Sequence, residues 1–254
     1  MSRRGLLVSV VALVFVWEAV AVIARTPLLP TVEAILAALA RGAGGGLGTH
    51  FAVSAWRVLA SLALTVLLAA PAGLAIGLSP RWNDRLAGLI YLTYPVPKVV
   101  LLPILMLFLG IGDLSKIVLI WLILSYQVLL VVRDAAAGVH PDLVQSVASL
   151  GSTRWQLVRF VYVPACLPAV LTSLRVSIGS AVAVLFLAES IATTSGLGYY
   201  IMVEGWGRLA YADMYAGVVA MSLLGLALYV ALDWLELRLC PWVAARRLAS
   251  LSSS

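Results

Sequence analysis

A chain of 254 residues that is 63% apolar and 11% charged, with a mean hydropathy of +1.07, lies far from soluble proteins, where about a quarter of residues are charged. The net charge of +6 sits in arginines scattered singly between apolar runs, so it describes membrane orientation and not a nucleic-acid surface. At about 20 apolar residues per helical crossing, the length holds roughly five to seven spans and no large soluble domain beside them. The first span is expected at residues 6–24, behind Arg3 and Arg4; its apolar run is too long for a signal peptide and no small-residue cleavage pattern follows it. Residues 30–50, PTVEAILAALARGAGGGLGTH, read as a short amphipathic helix ended by glycines. A second span is expected at 53–78, a third at 86–109 and a fourth at 117–132. A polar insert then occupies 133–164, followed by a fifth span at 167–188, a sixth at 214–235 and a basic tail. The chain thus divides into an N-terminal segment (residues 1–49), a five-span core (50–238) containing the insert, and a tail (239–254).

Arginine placement orients the spans. With the N-terminus inside, the inner side carries Arg3, Arg4, Arg81, Arg85, Arg133, Arg154, Arg159, Arg238, Arg246 and Arg247, against Arg25, Arg41 and Arg208 outside. Ten against three places both termini and the insert in the cytoplasm and residues 25–49 in the periplasm.

The insert carries local helix signals. Pro141 suits a first helical turn and Asp142 its positive end, Val144, Val147, Ala148 and Leu150 recur at helical spacing, and Gly151 stands where a left-handed cap belongs. Thr153 with Gln156 matches a capping box, and Leu157, Val158 and Val161 continue an apolar stripe up to Pro164. Two short helices joined at a glycine are therefore expected, the second ending at Pro164. Periodicity alone fits a hairpin lying on lipid headgroups and a docking element for a soluble partner equally well.

The spacing from Gly151, through nine residues, to Val161-Tyr162-Val163-Pro164 resembles the cytoplasmic "EAA" loop of permease subunits of bacterial binding-protein-dependent ABC importers. The three residues that name that motif are here Gln145, Ser146 and Val147, a departure from the family pattern. Residues 94–116, YPVPKVVLLPILMLFLGIGDLSK, 188–201, AESIATTSGLGYYI, and the stretch 50–78 are similar to the nitrate, sulfonate and taurine branch of the same family, so the resemblance covers about residues 50–235. It implies an all-α membrane protein of about six spans with a coupling loop between spans four and five, in a bacterial inner membrane. It further implies contact with a cytoplasmic ABC ATPase dimer through Gln145, Ser146, Val147, Ala148, Leu150, Gly151, Ser152, Thr153 and Pro164. A second copy of the permease, a periplasmic or lipid-anchored solute-binding protein and membrane lipid complete the implied partners.

Chemistry-bearing residues are few. The only lysines, Lys98 and Lys116, follow no glycine, so there is no phosphate-binding Walker loop, and ATP with its magnesium belongs to a partner chain. No zinc, redox or nucleophile-elbow motif occurs, the histidines are His50 and His140 alone, and Cys166 and Cys240 stand as small apolar residues at the ends of apolar runs. No catalytic residue, cofactor or metal is expected.

A charge at bilayer depth costs about 3 kcal/mol and usually faces the bundle interior or water. Glu18, Lys98, Arg175 and Glu189 are such charges. Lys98, between Pro97 and Pro103 where the helix ladder breaks, is the foremost candidate for the solute path, and a cation there favours an anionic solute. Pro97, Arg175 and Glu189 join it as path candidates, although Arg175 can snorkel, Glu189 can cap its span and Glu18 can pair with a neighbouring helix. Gly73 with Gly77, and Gly179, Ser180 with Ala183, mark close helix packing within the chain or between permeases. A secondary transporter would show inverted repeats, which are not evident, and an intramembrane enzyme or scaffold is the alternative outside transport.

Overall fold

The structure, a computed structural model, describes residues 3–242; Arg246 and Arg247 of the expected tail lie outside the described residues, as do the side chains of Arg3 and Arg4. Ten helices and no strand occur among the described residues. They are α1 (Arg3–Ala24), α2 (Val32–Ala43), α3 (Gly46–Gly77), α4 (Pro80–Thr93), α5 (Lys98–Leu109), α6 (Asp113–Ala137), α7 (Pro141–Ala148), α8 (Arg154–Ser190), α9 (residues 197–206) and α10 (Tyr211–Leu239). Of these, α3, α6, α8 and α10 are long and apolar enough to cross a membrane, and the α4–α5 pair adds a fifth crossing if it is taken as one. In α1 the described apolar stretch is the shorter Val11–Ala24.

Three expectations are corrected. The single span expected at 86–109 is instead the pair α4 and α5, bent by 80°. Pro95 and Pro97 lie in the break and remove two backbone donors, so the helix stops at Thr93 and restarts as a 3₁₀ turn at Lys98–Leu101. The second helix of the insert does not end at Pro164. It runs unbroken into the fifth span, because a π turn at Val158–Tyr162 precedes the proline. The proline ring collides with the carbonyl four residues earlier, and the wider π turn moves that carbonyl aside. The same device operates in α3, where the π turn Thr65–Ala69 precedes Pro71. The second span also begins earlier than expected, at Gly46, since the polar first turns of α3 carry no hydrophobic signal.

The chain divides into two compact units. One comprises residues 1–56 and 186–224. In it Glu18 accepts the Val32 N–H at 2.7 Å, placing a carboxylate on the positive end of α2, while Thr31 caps the same helix through the Ala34 N–H. Trp17 donates to the Pro30 carbonyl at 3.1 Å and stands edge-on to Tyr215. The helix α9 begins as the α turn Leu197–Tyr199 and continues as the π turn Tyr200–Trp206. It packs on α10 through Gly205, where an added Cβ would come within 2.5 Å of the Met214 Cα.

The other unit comprises residues 57–185 and 225–254. Its centre is α3 laid directly on α6. A Cβ at Gly73 would reach the Leu129 carbonyl at 2.6 Å, and one at Gly77 the Arg133 carbonyl at 2.4 Å. The Gly-x-x-x-Gly face is thus spent on packing within the chain. Leu119, Ile120, Leu124 and Val128 form the buried face of α6.

Candidate functional site

The insert folds as a hairpin of α7 and the base of α8. His140 precedes α7 and its Nδ1 accepts the Asp142 N–H, while Ser146 and Ser149 each donate a hydroxyl back to a carbonyl of the preceding turn. Gly151 has φ +79°, the left-handed conformation its place after α7 called for, and its N–H reaches the Ala148 carbonyl at 3.0 Å. The capping box is present: the Thr153 N–H donates to Gln156 Oε1 at 2.7 Å and the Gln156 N–H to Thr153 Oγ1 at 3.3 Å. No atom lies within 4 Å of where a Gly151 Cβ would stand. Around this open turn Leu143, Leu150 and Trp155 are 58%, 84% and 70% exposed. Gln145, Ser146, Val147, Ala148, Leu150, Gly151, Ser152 and Thr153 gather on this hairpin, with Val147 and Ser152 half-buried and the rest exposed, whereas Pro164 stands further along α8.

Pro97 and Lys98 lie together at the α4–α5 break. The Lys98 ammonium donates to the carbonyls of Thr93, Tyr94 and Val96 at 3.3–3.5 Å and sits 4.0 Å from the Tyr126 ring centroid. Carbonyls at the break in the helix and an aromatic face thus share one cation. Beside it a cavity of about 390 Å³ is lined by Tyr94, Pro95, Pro97, Lys98, Tyr126 and Gln127. Gln127 Oε1 is buried without a hydrogen-bond partner, which leaves one acceptor of that cavity wall unmet.

Arg175 is not a lone charge. It is ion-paired on α10 with Asp233 and, at 3.0 Å, with Glu236, and Thr172 donates to the second Glu236 oxygen at 3.3 Å. Neither it nor Glu189 lines the cavity at Lys98. Glu189, fully buried, accepts from the Ser54 hydroxyl at 2.8 Å and from the Gly198 N–H at 3.0 Å, while Ser54 itself accepts the Leu197 N–H. Gly196, at φ +113°, and Gly198 fold so tightly over this residue that an added Cβ would meet the Glu189 carboxyl carbon at 2.3 Å from Gly196 and the Glu189 Cβ at 2.6 Å from Gly198. His50 Nδ1 accepts the Gly196 N–H at 3.0 Å and completes the wrap. Nearby, burial first, then the charges of Asp213 and Glu204, raise the Tyr200 phenol above its ordinary range, with Arg41 opposing them.

A polar stripe escaped the sequence reading. Ser54, Arg57, Ser61 and Thr65 recur at helical spacing along α3 and all are buried. Arg57 donates through Nη2 to Asp113 at 2.6 Å, and Ser61 donates to the Ile117 carbonyl at 3.0 Å. Their three- and four-residue spacing inside an apolar span was the available signal. Lys116, also buried, closes the loop before α6 by donating to the carbonyls of Ile111 and Gly112. Among the described residues no cluster of His, Cys, Asp and Glu has the make-up of a metal site.

Comparison with known proteins places this architecture. Over residues 66–243 the chain matches the family described as "Binding-protein-dependent transport system inner membrane component". It is 35% identical over 243 residues to the taurine transport system permease protein TauC of Escherichia coli (strain K12), covering 92% of this chain and 88% of that protein. It is 29% identical over 242 residues to the putative aliphatic sulfonates transport permease protein SsuC of the same organism, covering 94% and 91%. In fold it superposes with a TM-score of 0.65, at 17% identity, on a chain of the MetNI methionine ABC transporter in an inward-facing conformation, covering 82% of this chain and 99% of that one. Its relatives are transport permeases and not enzymes. The chain therefore belongs to the family of inner-membrane permease components of binding-protein-dependent ABC importers, in the branch of the taurine and sulfonate permeases.

Proposed function

We propose that this permease forms the path for a small anion of the sulfonate kind and receives its driving motion through the 140–157 hairpin from a separate cytoplasmic ATPase that holds the ATP and magnesium. The observation that carries the reading is the turn itself: a left-handed glycine with open space around it, flanked by the exposed apolar side chains of Leu143 and Leu150. Such a ridge with a small residue at its crest suits insertion into a groove on another protein. The unbroken α8 carries any displacement of the hairpin into the membrane. Lys98 and the cavity beside it supply the cationic surface that an anion crossing the membrane needs, and the taurine and sulfonate permeases among its relatives favour that class of solute. Pro97 opens the backbone there, while Arg175 ties its helix to the last one through Asp233 and Glu236, and Glu189 holds the 196–198 turn.

The arginine distribution puts both termini and the hairpin in the bacterial cytoplasm. A periplasmic or lipid-anchored binding protein then delivers solute on the opposite side. The exposed Gly179, Ser180 and Ala183 of α8 suit close approach of a second copy, so the path lies within a homodimer.

The test is recovery of the ATPase with wild-type and Gly151→Val permease at matched membrane expression. A β-branched residue opposes the left-handed turn by about 1 kcal/mol or more and adds bulk at the crest. Gly151→Val is expected to lose co-purification of the ATPase, or the stimulation of ATP hydrolysis by loaded binding protein, with Leu143→Ala milder. Equal recovery together with equal stimulation overturns the coupling role.

A further inference from the structure

A second cavity, of about 500 Å³, runs between α3 and the base of α8, with Val132 of α6 behind it. One wall extends from Val66 to Leu78, the other from Trp155 to Val170. The first wall is twelve helical steps, about 18 Å at 1.5 Å per residue. That is on the order of one leaflet of a hydrocarbon layer about 30 Å thick. Every lining side chain is apolar except the Trp155 indole and the Cys166 thiol, so the groove offers water nothing and hydrocarbon everything. The π turns Thr65–Ala69 and Val158–Tyr162 stand one in each wall and set the flanking turns apart, which accounts for the groove's position.

Its hairpin end is basic. Gly73 faces Leu129 and Gly77 faces Arg133, so α3 and α6 run side by side in the same direction and end on the same side. There Arg81 follows Leu78, Arg133 adjoins Val132, and Arg154 and Arg159 flank Trp155 and Val158. Arg81, Arg154 and Arg159 are exposed, while Arg133 is paired with Asp134 at 2.7 Å. A helix of 37 residues is about 55 Å long, so the first turns of α8 reach past the hydrocarbon into the headgroup layer. Trp155, indole outward at that level, is a typical interfacial anchor.

We propose that this groove is a binding site for one acyl chain of an anionic phospholipid from the hairpin-side leaflet, its headgroup held by Arg154 and Arg159. The bound chain lies against the base of α8 and braces the hairpin that α8 carries. The site requires neither the ATPase nor a particular solute, so its failure leaves the transport reading standing.

The experiment uses the full chain in phosphatidylcholine vesicles containing a minor share of phosphatidylglycerol with a diazirine on one acyl chain. Illumination should place adducts on segments 66–78 and 158–170 severalfold above those on the exposed face of α10 that bears Leu226, Val230 and Leu237. Unlabelled phosphatidylglycerol should compete severalfold better than phosphatidylcholine, and Arg154→Gln with Arg159→Gln should erase that preference. Ala75→Phe, which adds bulk to an exposed lining position, should remove the adducts from 158–170. Labelling spread evenly over all lipid-facing segments, or equal competition by the two lipids, overturns the site. If Ala75→Phe does not insert, the competition with wild-type protein still decides.

Discussion

Two left-handed glycines answer to different constraints. Gly151 turns in open space, so Gly151→Ala meets only the backbone penalty of about 1–2 kcal/mol. Gly196 turns against a buried carboxylate, and Gly196→Ala adds a Cβ 2.3 Å from the Glu189 Cδ to that same penalty. The melting temperature of purified Gly196→Ala should therefore fall well below that of Gly151→Ala; equal values contradict the wrap around Glu189. Lys98 tests the path. Lys98→Met keeps most of the volume and removes the cation over Tyr126, and is expected to lower sulfonate uptake roughly tenfold, the equivalent of about 1.4 kcal/mol, with ATPase assembly unchanged. Lys98→Arg should retain much of the uptake. Full uptake with Lys98→Met assigns the lysine to holding the broken turn alone.

At the scale of elements, topology is the first test. Cys166 and Cys240 are both buried, which gives a quiet background for introduced cysteines. Ser149→Cys is preferable to Ser152→Cys in the hairpin, because the Ser152 hydroxyl is buried. Ser149→Cys should label from the cytoplasm only, and Ala43→Cys, exposed at the end of α2, from the periplasm only. Labelling of both from one side refutes the orientation read from the arginines. What sequence could show of these elements follows from the reach of each cause. Capping by Thr153 and Gln156, and the turn at Gly151, act over three or four residues, so they were legible. Prolines announced a break near Lys98 but not its 80° bend, which depends on how α4 and α5 pack. Helix continuity across Pro164 was hidden, because a π turn leaves no mark in the hydrophobic pattern. The pairs Arg57 with Asp113 and Arg175 with Asp233 join residues more than fifty positions apart, and one chain alone carries no sign of such partners.

For the molecule as a whole, two glycine faces test packing inside the chain against the proposed packing between two copies. Gly77→Leu drives a side chain into the Arg133 carbonyl and should cost at least about 1–3 kcal/mol, with folded protein lost from size-exclusion chromatography in mild detergent. Gly179→Leu enters open space and should leave the fold intact while weakening self-association. Unchanged self-association of Gly179→Leu removes this face from the proposed homodimer contact. The contact at Gly73 and Gly77 also has a mechanical meaning. Backbone resting on backbone has no rotamer to yield, so α3 and α6 resist sliding and twisting and act as a stiff beam. Compliance is left to the 94–97 break of the same unit. Bending of this unit is therefore borne by that break while the beam keeps its shape.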